Sequence, residues 1–128
     1  MEFSVLTTVY KKEIPENLRR SILSCYQQTV KPKEIMLICD GELTEALNEE
    51  IDLLKKEIPI LVVYRLPKNL GLGPTSRFGV KKCQTELIAR MDSDDYCDKT
   101  RFEKQLKVFE ENPNLIMVGS NILEKNTE

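Results

Sequence analysis

Two hydrophobic periods alternate along this chain, and that alternation leaves few folds open. Residues 3–10, FSVLTTVY, are a β-rich run. Leu18, Ile22, Cys25 and Tyr26 then recur at helical spacing behind Pro15, which suits a first helical turn. EIMLIC, 34–39, is an apolar run that stops at the turn signal Asp40-Gly41. Thr44 is placed to cap a helix carrying Leu47, Ile51, Leu54 and Ile58 on one face. ILVVYRL, 60–66, reads as a third strand, and PKNLGLGP, 67–74, as a loop whose Pro74 opens a helix reaching about Gln84. ELIARM, 86–91, is a fourth strand. Thr100 and Glu103 have the spacing of a capping box, with Phe102, Leu106 and Phe109 inward. LIMVGSNIL, 115–123, reads as a last strand. Strands that alternate with helices build βαβ units, and right-handed crossovers put helices on both faces of a mainly parallel sheet. The expectation is a Rossmann-like α/β chain, three layers deep (α/β/α), forming a single domain over 1–128.

In such sheets ligands bind beyond the carboxyl ends of the strands, where the strand order reverses. The polar residues that look out of place fall on that edge. Thr7, Thr8 and Tyr10 surround the end of the first strand, with Val9 between them. Asp40 ends the second, Asn69 and Gly71 follow the third, and Asp92, Asp94 and Asp95 end the fourth. Acids placed by chance would scatter over both ends of the sheet.

Composition narrows the chemistry at that edge. The net charge is −2 and the basic runs are no longer than pairs, so a nucleic-acid partner is not expected. The chain has no histidine and no C-x-x-C pair, which excludes zinc sites and Cys-His or Ser-His catalysis by its own residues. Cys25, Cys39, Cys83 and Cys97 read as reduced, mostly buried thiols. No apolar run approaches the roughly 20 residues of a membrane helix, and the acidic start MEFSVLTTVY lacks a signal-peptide pattern. A cytoplasmic location is expected, with a peripheral position at the inner face of the membrane left open.

Three aspartates within four residues repel one another unless something positive lies between them. Asp92-x-Asp94 after a strand outlines a hard-cation site, and oxygen ligands select Mg²⁺, Mn²⁺ or Ca²⁺. Mg²⁺ usually takes one or two carboxylates and completes its shell with water and phosphate oxygens. A solvated acidic turn that caps the next helix is the competing explanation. An EF-hand does not fit, because its sixth position is Gly and here it is Cys97. An aspartyl phosphatase with Asp92 as nucleophile fits poorly, with Tyr96 at the fifth position. GLGPTSRFG, 71–79, misses the dinucleotide fingerprint at Ser76, so its glycines are expected to serve a tight turn. Arg77 is placed to reach a pyrophosphate or a base carbonyl, against an alternative as an exposed helix charge. Asp40 could accept from a base N–H, or simply form the Asp-Gly turn.

Taken together, SVLTTVY, EIMLICDG, NLGLGPTSRFG and LIARMDSDDY resemble, in order and spacing, the family-2 glycosyltransferases of the GT-A fold. RMDSDD, RFEKQLKVFEENP and VGSNILE look most like bacterial transferases of exopolysaccharide or capsule assembly. The resemblance covers essentially the whole chain. It implies that Thr8, Val9 and Tyr10 line the base and ribose pocket and that Asp40 pairs with uracil or another base. It implies a nucleotide-binding role for Asn69, Gly71 and Arg77, with Asp92 near the ribose and diphosphate. Asp94 becomes the main ligand of a Mg²⁺ or Mn²⁺ ion, with Asp92 beside it. The donor would be a nucleotide-diphosphate sugar, most often a UDP-sugar, used in inverting transfer to a saccharide or lipid-linked acceptor.

Family members are roughly twice this length, and their acceptor site and catalytic base lie in the C-terminal half. The expectation is therefore a donor-binding half, inactive alone, with an apolar surface open to self-association. A stand-alone nucleotide-binding module is the alternative.

Overall fold

A computed structural model describes residues 2–112 and 114, together with 117–118 and 123–125. The elements run β1 (Phe3–Val9), α1 (Pro15–Tyr26), β2 (Glu34–Asp40), α2 (Glu45–Glu57), β3 (Leu61–Leu66), α3 (Leu72–Lys82), β4 (Leu87–Asp92), α4 (Arg101–Glu111), β5 (Met117–Val118) and β6 (Leu123–Lys125). The sheet order is β3-β2-β1-β4-β6-β5. The first four strands are parallel. The order reverses between β1 and β4, and Thr8 pairs in register with Asp92 across that junction.

The expected last strand is corrected. Of 115–123, only Met117–Val118 and Leu123 lie among the described residues, and they belong to two short strands, with β6 antiparallel to both β4 and β5. The run is interrupted in sequence by Gly119, Ser120 and Asn121, residues of turn chemistry.

Alternation along each strand sorts the core into two layers. Phe3, Val5 and Val9 face α1, α2 and α4, where Leu18, Ile22, Cys25, Leu47, Ile51, Leu54, Phe102, Leu106 and Phe109 are buried. Phe3 meets Phe102 edge-on with ring centroids 5.0 Å apart, a contact that contributes about 0.5–1.5 kcal/mol beyond its buried area. The opposite face is thinner: Leu6, Met36, Ile38 and Ile88 pack against Val80 of α3. Gly79 is what lets α3 lie so close, since a Cβ there would stand 2.3 Å from Leu6 Cδ1.

Helix ends show where local rules held. Pro15 opens α1, and Thr44 accepts the Leu47 N–H at 3.2 Å as the cap of α2. The Thr100–Glu103 capping box does not form. Thr100 instead donates its hydroxyl to Asp98, and the Phe102 N–H is taken by Gln28 Oε1 at 3.1 Å. A tertiary partner just beyond α1 takes the place of the local cap. No helix among the described residues is long and apolar enough to cross a membrane.

Candidate functional site

The carboxyl ends of β1, β2 and β4 open into a hollow of about 360 Å³ lined by Thr8, Val9, Tyr10, Glu13, Asp40, Asn69, Gly71, Leu72, Asp92, Ser93 and Asp94. A second hollow of about 430 Å³ adjoins it, sharing Tyr10, Asp40 and Asn69 and adding Lys11, Glu42, Leu43 and Thr44. A larger cavity of about 680 Å³ lies elsewhere, between α1 and the 96–99 segment. Volume favours that one; chemistry favours the strand ends, where charged groups converge at the reversal of strand order.

Asp40, the last residue of β2, is buried, and its two carboxylate oxygens are shared out. Oδ1 accepts the Leu70 N–H at 2.7 Å and Oδ2 the Gly71 N–H at 3.1 Å. Asn69 Nδ2 donates to the Asp40 carbonyl at 3.3 Å. Asp40 thus shapes the loop between β3 and α3. Gly41 makes that fit possible: its φ is 87°, and a Cβ would stand 2.8 Å from the Asn69 backbone nitrogen. Gly71, with φ 92°, begins α3 in the same left-handed region.

Asp92, Asp94 and Asp95 place one carboxylate oxygen each within 4.8 Å of one another. Burial pushes the Asp92 carboxyl above its ordinary range, and the charges of Asp95 and Asp94 push it the same way. The ion pairs among the described residues, Arg19 with Glu50 and Glu57 and Lys33 with Glu2, leave all three out. Repelling carboxylates that stand outside the ion pairs among the described residues fit a hard divalent ion, because oxygen ligands and residual charge are what such an ion takes.

The loop carrying these acids is fixed from behind by α1 and by Gln28 just beyond its end. Ser21 Oγ donates to the Asp92 carbonyl at 3.1 Å, the Cys97 N–H reaches Ser24 Oγ at 3.0 Å, and Gln28 Nε2 reaches the Asp98 carbonyl at 2.7 Å. Cys97 and Cys25 are free thiols 4.0 Å apart in this packing.

Thr8, Val9, Tyr10, Asp40, Asn69, Gly71, Asp92 and Asp94 therefore meet in one place, as the strand-end pattern anticipates. Arg77 does not join them; it is exposed on α3 and outside the lining of either hollow. Glu13 and Ser93 are lining residues that the sequence pattern had not singled out. Ser93 is the middle residue of Asp92-x-Asp94, and Glu13 follows the first strand end; proximity to those two ends was the available signal.

Comparison with known proteins decides the family. The profile described as Glycosyl transferase family 2 matches residues 4–127. The chain belongs to glycosyl transferase family 2. Within that family it is 41% identical over 122 residues to the amylovoran biosynthesis glycosyltransferase AmsE of Erwinia amylovora, covering 95% of this chain and 46% of that protein. It is 37% identical over 119 residues to the Escherichia coli UDP-Gal:alpha-D-GlcNAc-diphosphoundecaprenol beta-1,3-galactosyltransferase, covering 93% and 43%. The chain thus spans less than half the length of these family-2 relatives. In fold it matches S. aureus TarS 1-349 in complex with UDP-GlcNAc, with a TM-score of 0.75 at 24% identity over 88% of this chain and 32% of that one. This GT-A likeness agrees with the mainly parallel sheet and its helices on both faces.

Proposed function

We propose that the chain is the donor-binding part of a transferase that uses a nucleotide-diphosphate sugar, a UDP-sugar in the first instance, with Mg²⁺ or Mn²⁺. One observation carries the reading: an unpaired carboxylate cluster and a polar hollow share the edge where the strand order reverses. Thr8, Val9 and Tyr10 form the wall for base and ribose, and Asp40, already holding Leu70 and Gly71, turns its remaining lone pairs toward a base N–H. Asp94 and Asp92 hold the ion, which when bound supplies positive charge to the departing diphosphate. Support for the donor class comes from the relatives: one is named for UDP-Gal, and the solved fold neighbour was crystallised with UDP-GlcNAc.

The acceptor is a saccharide or lipid-linked saccharide, and the process is assembly of a cell-surface polysaccharide, by inverting transfer. Relatives named for amylovoran biosynthesis and for a diphosphoundecaprenol-linked sugar support this class. A cytoplasmic position at the inner face of the membrane suits such an acceptor. The base that deprotonates the acceptor is assigned to no residue of this chain. Tyr10, Ile14, Leu70 and Leu72 are exposed around the site and offer apolar surface for self-association.

The test is calorimetric titration of UDP with and without Mn²⁺, on the wild type and on Asp94→Asn. Mn²⁺ should strengthen UDP binding to the wild type, and Asp94→Asn should remove that gain. An unchanged metal dependence in Asp94→Asn would overturn the ligand assignment. Acid should weaken metal binding, since the carboxylates must be ionised.

A further inference from the structure

Glu13 divides its carboxylate between two elements. Oε1 accepts the Ile14 N–H at 2.8 Å and Asn17 Nδ2 at 3.3 Å, both at the start of α1. Oε2 accepts the hydroxyl of Ser93 in a short bond, across 80 residues of sequence. The Glu13 N–H in turn donates to the Tyr10 carbonyl at 3.0 Å. One residue therefore joins the wall carrying Tyr10 to the loop carrying the aspartates. Starting α1 would need only the Oε1 bonds; the bond to Ser93 is additional. It also brings a further negative charge to the hollow already lined by Asp92 and Asp94, an arrangement that costs stability unless a donor occupies it. Burial works against ionisation of Glu13, but the hydrogen bonds from Ser93, the Ile14 N–H and Asn17 hold its carboxyl below the usual range.

We propose that Glu13 is a positioning residue for the carboxylate pair: by accepting the Ser93 hydroxyl it fixes the peptide between Asp92 and Asp94, so that both acids converge before a ligand arrives. The inference rests on reading this edge as a metal and nucleotide site. Groups that orient metal ligands typically contribute 10–100-fold in metal affinity. The mechanism here is entropic, because a loop of repelling carboxylates left untied would spread.

The experiment is calorimetric titration of UDP, in the presence and absence of Mn²⁺, on the 128-residue chain. Ser93→Ala removes the loop-side bond and leaves the α1 bonds of Glu13 intact. It should reduce the gain in UDP affinity that Mn²⁺ confers, read as the ratio of affinities with and without the metal, about 10–100-fold. Ser93→Thr, which keeps the hydroxyl, should restore it. Glu13→Ala, which also removes the Oε1 bonds at the start of α1, should lose at least as much as Ser93→Ala, and the double variant should be no weaker than Glu13→Ala alone, since the Ser93 bond is already absent there. Far-UV circular dichroism checks folding, and if Glu13→Ala is unfolded the two Ser93 variants decide. Wild-type metal dependence in Ser93→Ala, or equal loss in Ser93→Ala and Ser93→Thr, would overturn the positioning role. A wild type whose UDP binding ignores Mn²⁺ would overturn the metal site itself, and the positioning role with it.

Discussion

The carboxylate of Asp40 accepts the backbone N–H of Leu70 at 2.7 Å, tying the end of β2 to a loop 30 residues further along the chain. The companion bond from Gly71 uses the other oxygen. An acid proposed as a recognition group for a base is thus also the group that shapes the loop lining the hollow.

Asp40→Ala should therefore lose two things together. Each charge-assisted bond contributes about 1.5–3 kcal/mol, and the half-exposed loop recovers part of that from water. A net loss near 2 kcal/mol is expected in urea unfolding. UDP should lose its margin over other nucleotides more than the chain loses metal binding. Asp40→Asn, with one acceptor oxygen, should lie between. A variant with wild-type stability and an unchanged nucleotide ranking would show that neither role is right.

Gly41→Ala tests the same wall from its other side. Alanine there must adopt a φ of 87° and meet the Asn69 backbone at 2.8 Å. Backbone strain of this kind costs of order 1–3 kcal/mol. The loop should be displaced, so weaker UDP binding should accompany a lower melting temperature. Loss of stability with intact binding would separate the loop from the ligand.

Much of this arrangement was legible in the sequence, and the exceptions share a cause. Period-2 runs and helical faces were readable because each is a local pattern, and the strand-end rule then brought Thr8, Asp40, Asn69 and Asp92 to one edge. What escaped was long-range pairing. Ser93 with Glu13, Asp40 with Leu70, and the Gln28 cap of α4 join residues whose partners are set by packing. Glu34 is a further case: an acid at the opposite end of the sheet, it is buried and accepts Ser4 Oγ at 2.6 Å and the Gln84 N–H at 2.7 Å. Its partners neutralise the cost of burial, so it marks a structural joint and breaks the expected gathering of acids on one edge.

Asp92→Asn should stabilise the metal-free chain at neutral pH. The Asp92 carboxyl is raised in the fold by burial and then by Asp95 and Asp94. A raised carboxyl favours the fold most below its ordinary, unfolded range, and that contribution disappears as pH climbs through the folded value. Asparagine carries no such titration. Its advantage should be present at pH 7 and vanish below the ordinary carboxylate range, and it should be small because Asp92 is exposed and solvent screens it. Mn²⁺ should raise the melting temperature of the wild type and not of the variant. Thermal melts at several pH values check this; a metal-free variant melting below the wild type at pH 7 would contradict it.

Gly79→Ala weighs two opposed effects. Alanine gains about 1 kcal/mol in helix propensity. Its Cβ would press on Leu6 and Ile38, and overpacking of a tight core costs about 1–3 kcal/mol. Leu6 is buried with little room to turn, so a net loss of up to about 2 kcal/mol is expected in urea unfolding. A stabilised variant would mean that the α3 layer yields easily.

The uneven layering of the sheet has a dynamic consequence. Among the described residues, three helices grip one face, while α3 alone covers the other through a much smaller cluster. Opening of least cost then belongs to α3, and its amides exchange with solvent ahead of those in β1 and β2. Because α3 begins at Leu72, next to Gly71, the wall of the hollow that such breathing loosens is the one carrying Gly71 and Leu72. Asp92, the last residue of β4, stays on the slow-exchanging sheet, and the yielding wall of the hollow is expected on the side of the fast-exchanging helix.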